Sequence, residues 1–223
     1  MKSIANIYTD FKTKFGVPRQ SGLVNSLKGK IVFKPEYRNS ASLRGLEEFT
    51  HIWLIWEFSD HIATQYSPLV RPPKLGGNKK MGVFATRSPY RPNPIGLSCV
   101  RLESIEINSD MGPTLLVSGA DLKDKTPIYD IKPYIPYTDS HPEARGGFVE
   151  NNKGDRLKVN FPKKWLNMIS EDRRDALIGV LELDPRPGYH NNPKRIYGFE
   201  FAGMDVRFTV NEELLTVEEI VKI

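Results

Sequence analysis

GLSCVRLESIEINSDMGPTLLVSGADL, residues 96 to 122, sets two apolar, β-branched runs on either side of the cluster Asn-Ser-Asp-Met-Gly-Pro. Neither run shows the i, i+3, i+4 recurrence of a helix, and the cluster between them is turn chemistry, so the stretch reads as two neighbouring strands. Outward from it the same pattern repeats. HIWLIWEF (51 to 58), MGVFAT (81 to 86) and PIYDIKPYI (127 to 135) are short, rich in β-branched and aromatic residues, and bounded by Gly, Pro, Asn or Asp. No amphipathic helix of three turns separates them, which argues against the βαβ alternation of a doubly wound sheet. The expectation is a mainly β domain over residues 1–145, an antiparallel barrel or a sandwich.

HPEARGGFVENNKGDR (141 to 156) marks a boundary by its glycines, asparagines and mixed charges. Beyond it, residues 146–223 read as a small α+β domain. FPKKWLNMI places Trp165 and Ile169 at helical spacing, and Ser170 is positioned to cap a second helix over about 171 to 183, with Glu171 and Asp172 in its first turn. That helix would face its core with Ala176, Leu177, Val180 and Leu181, and Pro185 would stop it. RIYGFEFAGMDVRFTV (195 to 210) reads as a hairpin turning near Gly203.

The 223 residues suffice for a substantial core, and no apolar run approaches the roughly 20 residues of a membrane span. MKSIANIYTDFKTKFG has no apolar stretch after its lysine, so no secretory signal is expected. Cys99 is the single cysteine; it has no internal disulfide partner and is expected to be a buried thiol in a reducing cytoplasm. Net charge is +5, and the excess is concentrated: from His61 to Leu102 there is no acidic residue, while Arg71, Lys74, Lys79, Lys80, Arg87, Arg91 and Arg101 are all positive. Such a run is either a solvated loop or a surface for a polyanion, with nucleic acid the natural partner.

Several chemistries find no support. His51, His61, His141 and His190 are scattered, none at ligand spacing from another or from Cys99, so no metal site is expected. There is no Gly-x-Ser-x-Gly elbow, and LGGN (75 to 78) lacks the spacing of a phosphate-binding loop. Three stretches remain. In TRSPYRPNPIG, Pro89, Pro92 and Pro94 fix φ and bias the residues before them toward extended geometry, presenting Arg87 and Arg91 from a stiff backbone. In DLKDKTPIYDIKPYIPY, strand alternation puts Asp130 and Lys132 on one face, as a surface ion pair or as the wall of a polar cavity. FGVPRQSGL (15 to 23) holds Pro18 before Arg19 between two glycine turns, and by itself reads as a surface loop.

Together VRPPKLGGNKKMGVFATRSPYRPNPIGLS (70 to 98), ADLKDKTPIYDIKPYIPYTDS (120 to 140), FGVPRQSGLV (15 to 24) and DPRPGY (184 to 189) resemble the TsaA-like tRNA methyltransferases of the TrmO family. The resemblance implies an antiparallel β-barrel that binds S-adenosylmethionine, and a homodimer. It also implies methylation at N6 of the N6-threonylcarbamoyladenosine at position 37 of the tRNA anticodon arm. Carried over residue by residue, the cofactor positions are Arg19, Gln20, Asp60, His61, Arg87, Leu97, Asp121, Leu122, Lys123 and Asp124. Their types suit the ligand: carboxylates for ribose hydroxyls or the amino group, arginine for the carboxylate, leucine for the adenine face. Asp130, with Tyr134 in support, is the expected proton acceptor, and Arg71, Lys74, Lys79, Lys80, Arg91 and Arg186 the expected tRNA contacts. One departure stands out: where the family commonly has Asp-Gly-Thr-Pro, this chain has Lys125, which strains any turn needing φ > 0. Two alternatives stay open, a non-catalytic tRNA-binding barrel and an S-adenosylmethionine-dependent enzyme with another acceptor.

Overall fold

The computed structural model describes residues 1–61, 66–72, 75, 79–152, 156–187 and 192–223, the side chains of His61, Asn151 and Asn152 aside. Six strands make its N-terminal half: β1 (Ala5–Tyr8), β2 (Lys28–Phe33), β3 (His51–Glu57), β6 (Ile95–Glu106), β7 (Thr114–Ser118) and β8 (Thr126–Pro133). They pair in the order β1-β2-β7-β6-β3-β8, and β8 closes back on β1, so the architecture is a barrel and not a sandwich. Two further short strands, β4 (Leu69–Val70) and β5 (Met81–Gly82), form an arm of their own. The period-2 pattern explains the filling. In β3, Ile52, Leu54 and Trp56 point inward and are buried, while His51, Trp53, Ile55 and Glu57 point out.

The strands read in the sequence are present with one difference. MGVFAT is a strand only at Met81–Gly82; Val83–Ala85 then turns as a single 3-10 turn. The reason is local. The Val83 N–H donates to Pro68 O at 2.9 Å, and the Thr86 N–H and hydroxyl both return to Val83 O, at 3.1 and 2.8 Å.

The turn between β7 and β8 places Lys125 at φ 63. Its N–H donates to Ile7 O at 2.7 Å and its carbonyl accepts from Asn6 Nδ2 at 2.9 Å, so β1 holds this residue in the left-handed region. A Cβ there costs about 1–2 kcal/mol. Lys125→Gly is therefore expected to stabilise the protein by about 1 kcal/mol, allowing for glycine's greater unfolded entropy. It should raise Tm by about 2–4 °C in a thermal melt.

The C-terminal part contains β9 (Lys158–Asn160), β10 (Tyr197–Phe201), β11 (Met204–Asn211) and β12 (Leu214–Lys222), in sheet order β10-β11-β12-β9 with β9 parallel to β12. The hairpin turns through Ala202 and Gly203, both with positive φ, as a tight two-residue turn requires. Among the described residues there are three α-helices; α1 (Pro136–Asp139), which follows the barrel, and α2 (Lys163–Leu166) are single turns. The third, α3 (Glu171–Glu182), buries Ala176, Leu177, Val180 and Leu181 against the sheet. Ser170 stands at its N-cap position, but its hydroxyl makes no capping bond to the helix backbone.

The core of this part is not made by the C-terminal residues alone. Phe11, Val24 and Leu27, from the long β1–β2 connection, are buried in it beside Leu177, Phe201 and Phe208. Asp10 anchors the start of that connection: both carboxylate oxygens accept from Arg173 Nε at 3.0 Å, and its carbonyl accepts from Ala202 N at 2.9 Å. Stretch 15 to 23 is thus more than a surface loop, being suspended between barrel and C-terminal sheet.

Candidate active site

A cavity of about 590 Å³ opens at the barrel mouth, where the β1–β2 connection, the end of β3, the proline-rich stretch before β6 and the β7–β8 turn converge. Its apolar wall includes Val17, Trp56, Phe58, Ile95 and Leu97, and its polar wall Arg19, Gln20, Asp60, Arg87, Asp121 and Lys123. The proline-rich stretch keeps the mouth fixed. Phe58 N donates to Pro94 O at 2.8 Å, and Arg91 Nη1 turns back onto its own segment, donating to Thr86 O at 2.9 Å and Ser88 O at 3.3 Å. Opposite Trp56 in the β3–β6 register is Gly96; a Cβ there would lie 2.2 Å from the indole, so only glycine leaves room for the ring.

With the indole seated, a polar chain runs inward from it. Trp56 Nε1 donates to Ser98 Oγ at 2.9 Å, and the Ser98 hydroxyl donates to Asp121 Oδ1 at 2.5 Å, the length of a hydrogen bond to a carboxylate. Ser98 is fully buried. Burial pushes the Asp121 carboxyl above the usual carboxylate range; the Ser98 bond, a backbone N–H of the β1–β2 connection at Ser21 and the nearby Arg87 charge oppose that shift without cancelling it. Arg87 also donates to Gln20 Oε1, tying the proline-rich stretch to the β1–β2 connection across the cavity. On the rim Lys123 pairs with Asp60; on β8, burial and then the hydrogen bond to Glu57 push the Tyr129 pKa up to about 12.

The sequence matches the family models of the tRNA-methyltransferase O N-terminal domain over residues 6–140 and of the TrmO C-terminal domain over residues 155–223. The chain belongs to the TrmO family. It is 37% identical over 219 residues to the tRNA (adenine(37)-N6)-methyltransferase of Escherichia coli strain K12, covering 95% of this chain and 93% of that one. A protein from Pyrococcus abyssi named "Probable S-adenosyl-L-methionine-binding protein" is 40% identical over 151 residues, which are 68% of this chain and 76% of that one. A crystal structure of TrmO from Pseudomonas aeruginosa superposes with a TM-score of 0.80 at 31% identity, covering 99% of this chain and 95% of that one.

Of the cofactor positions carried over from the TrmO family, Arg19, Gln20, Asp60, Arg87, Leu97, Asp121 and Lys123 line the one cavity. Leu122 and Asp124 do not. Leu122 is packed in the barrel core, and Asp124, buried, accepts from Lys12 Nζ at 2.7 Å and Thr9 N at 3.1 Å, bracing the start of the β1–β2 connection. The side chain of His61 lies outside the described residues. Asp130 is on the outer barrel face, paired with Lys132 at 2.9 Å. In register it is separated from Leu97 by Ile55, two strand spacings or about 10 Å. Tyr134 is farther still, at the opposite end of β3, where its ring meets those of Trp53 and His51 at 5.7 and 6.3 Å.

Among the expected tRNA contacts, Arg71, Lys79 and Lys80 are exposed on the β4–β5 arm, Arg91 lines the cavity, and Arg186 is closed into a two-point ion pair with Asp184 at 2.7 and 2.8 Å. Lys74 lies outside the described residues. Cys99 is half-buried on the outer face, its thiol pKa raised by burial and then by Asp139. No helix among the described residues is long and apolar enough to cross a membrane, and no cluster of three potential metal ligands occurs among them.

What sequence reasoning did not find is the Trp56–Ser98–Asp121 chain. Its members come from β3, β6 and the β7–β8 turn, and only the closed barrel brings them together. The donor set and size suit S-adenosylmethionine: the cavity falls within the 300–1,000 Å³ typical of small-molecule sites. Asp121 and Asp60 can take hydroxyl or ammonium protons, Arg87 and Arg19 a carboxylate, and Leu97, Ile95 and Trp56 an adenine face.

Proposed function

We propose that this protein uses S-adenosylmethionine to methylate N6 of adenosine 37 in tRNA, the acceptor being the N6-threonylcarbamoyl form, and that it does so as a cytoplasmic homodimer. The observation that supports it is the convergence of Arg87, Leu97, Asp121 and the Arg19–Gln20 loop on one cavity in a TrmO-family barrel. When bound, S-adenosylmethionine supplies a methyl group on a sulfonium, an electrophile that needs no metal. The protein's task is then alignment, exclusion of water and reception of one proton. Asp121, Arg87 and Gln20 hold the polar end, and Leu97 covers the apolar one. The carbamoyl group withdraws electron density from N6, so a carboxylate near that nitrogen assists. In this reading Asp130 receives the proton and Tyr134 supports it. Neither lines the cavity of its own chain, so a second copy would have to bring them there, which is the use of the dimer.

The test is methyl transfer from labelled S-adenosylmethionine to tRNA bearing threonylcarbamoyladenosine, beside the same transcript unmodified. Label is expected only in the modified tRNA, and Asp130→Ala should lower turnover at least 10-fold with cofactor affinity intact. Equal labelling of both tRNAs would remove the carbamoyl group from the acceptor, and cofactor binding without labelling of either would remove tRNA.

A further inference from the structure

The base of the β4–β5 arm carries an exposed aromatic pair. Tyr66 and Phe84 stack with ring centroids 6.4 Å apart and planes 24° from parallel, yet Phe84 is 74% and Tyr66 52% exposed. The turn bearing Phe84 is pinned: Val83 beside it is buried and bonded to Pro68 O, and both the N–H and the hydroxyl of Thr86 close onto Val83 O. A large ring is thus held out in water on a fixed backbone. Thr86 and Arg87, two and three residues on from Phe84, line the cavity, so the pair stands beside its rim.

The charge around it has one sign. No acidic residue occurs between His61 and Leu102, and among the described residues Arg71, Lys79 and Lys80 are exposed without a carboxylate partner. A second copy docking with this patch on its two-fold axis would bring the positive charge onto itself. A polyanion with flat, apolar faces fits instead. We propose that Tyr66 and Phe84 form a stacking platform for an unpaired nucleotide of the RNA, adjacent to the one whose base enters the cavity, with Arg71, Lys79 and Lys80 on flanking phosphates. The proposal rests on the tRNA methyltransferase reading. Taking one base out of a loop leaves its neighbour without a stacking partner, and an aromatic ring replaces it whatever the base.

Stacking and phosphate contacts respond differently to salt, which makes the platform testable. Binding of fluorescently labelled anticodon stem-loop RNA is measured by anisotropy at several salt concentrations for wild type, Phe84→Ala, Phe84→Trp and Lys79→Ala/Lys80→Ala, with S-adenosylmethionine binding as the control on folding. Phe84→Ala is expected to weaken RNA binding roughly 10-fold or more at every salt concentration, leaving the slope of log K against log salt unchanged. Phe84→Trp should retain binding, and the double lysine variant should reduce the slope by about 1 to 2. Wild-type RNA affinity in Phe84→Ala overturns the platform. So does unchanged RNA affinity with an altered oligomeric state in sedimentation, which would assign the patch to self-association. Failure of the underlying reading looks different: wild type itself neither binds nor methylates tRNA.

Discussion

Asp121→Ala is expected to weaken S-adenosylmethionine binding about 10- to 100-fold, the effect of removing a hydrogen-bonded charged partner worth about 1.5–3 kcal/mol. The residue is largely buried, faces the cavity, and receives the Ser98 hydroxyl that Trp56 holds in place. Its raised pKa adds a pH signature. The carboxylate must be ionised to accept fully from the cofactor, so affinity should fall as pH drops through a value above the usual carboxylate range, and Asp121→Asn should abolish that dependence. The sign for stability is opposite. A folded pKa above the unfolded one means that the folded state holds the extra proton, so the ligand-free protein loses stability as pH rises through that window. Asp121→Asn, neutral at every pH, should therefore bind poorly while melting no lower than wild type near neutrality. Calorimetric titration and thermal melts separate the two effects; undiminished affinity in both variants would take Asp121 out of the site.

Gly16→Ala should damage both stability and binding, although residue 16 lines no part of the cavity. Gly16 has φ 82, and a Cβ there would sit 2.4 Å from the Phe199 ring, in the core of the C-terminal sheet. Left-handed strain of about 1–2 kcal/mol and overpacking of about 1–3 kcal/mol together predict a loss of about 2–5 kcal/mol, or roughly 4–20 °C in Tm. Val17, Arg19 and Gln20 follow directly and do line the cavity. Displacing the loop should therefore weaken cofactor binding at temperatures where the variant is fully folded, and trimming Phe199 to leucine in the same chain should recover part of both losses. Lower Tm with wild-type affinity would show that the C-terminal sheet does not position this loop.

The barrel was legible where strands are long and their ends punctuated. β3, β6, β7 and β8 stand out by alternation and by the Gly, Pro and Asp clusters between them. β1 and β2 did not, because Ala5–Tyr8 is four residues long and KGKIVF opens with charge and glycine rather than alternation. β12 escaped for a related reason: in LLTVEEIVK adjacent glutamates interrupt the pattern, and a bulge between Arg207 and Phe208 of its partner shifts the register around them. The proline-rich stretch announced a stiff site but not the direction of its arginines. Arg91 bonds its own backbone while Arg87 crosses to Gln20, a choice set by tertiary geometry. Arg186 likewise reads as a presented cation in DPRPGY, yet Asp184 two residues before it takes both of its bonds. Phe84 was legible only as one hydrophobic position of a strand; its exposure follows from the 3-10 turn that replaced that strand.

The most direct test of the central claim is a crystal structure of the protein with S-adenosylmethionine bound. Density is expected in the barrel-mouth cavity, with Asp121 and Arg87 on polar groups of the ligand and Leu97 against its adenine. Ligand bound instead on the outer face beside Asp130 and Tyr134, with the cavity left to solvent, would contradict it.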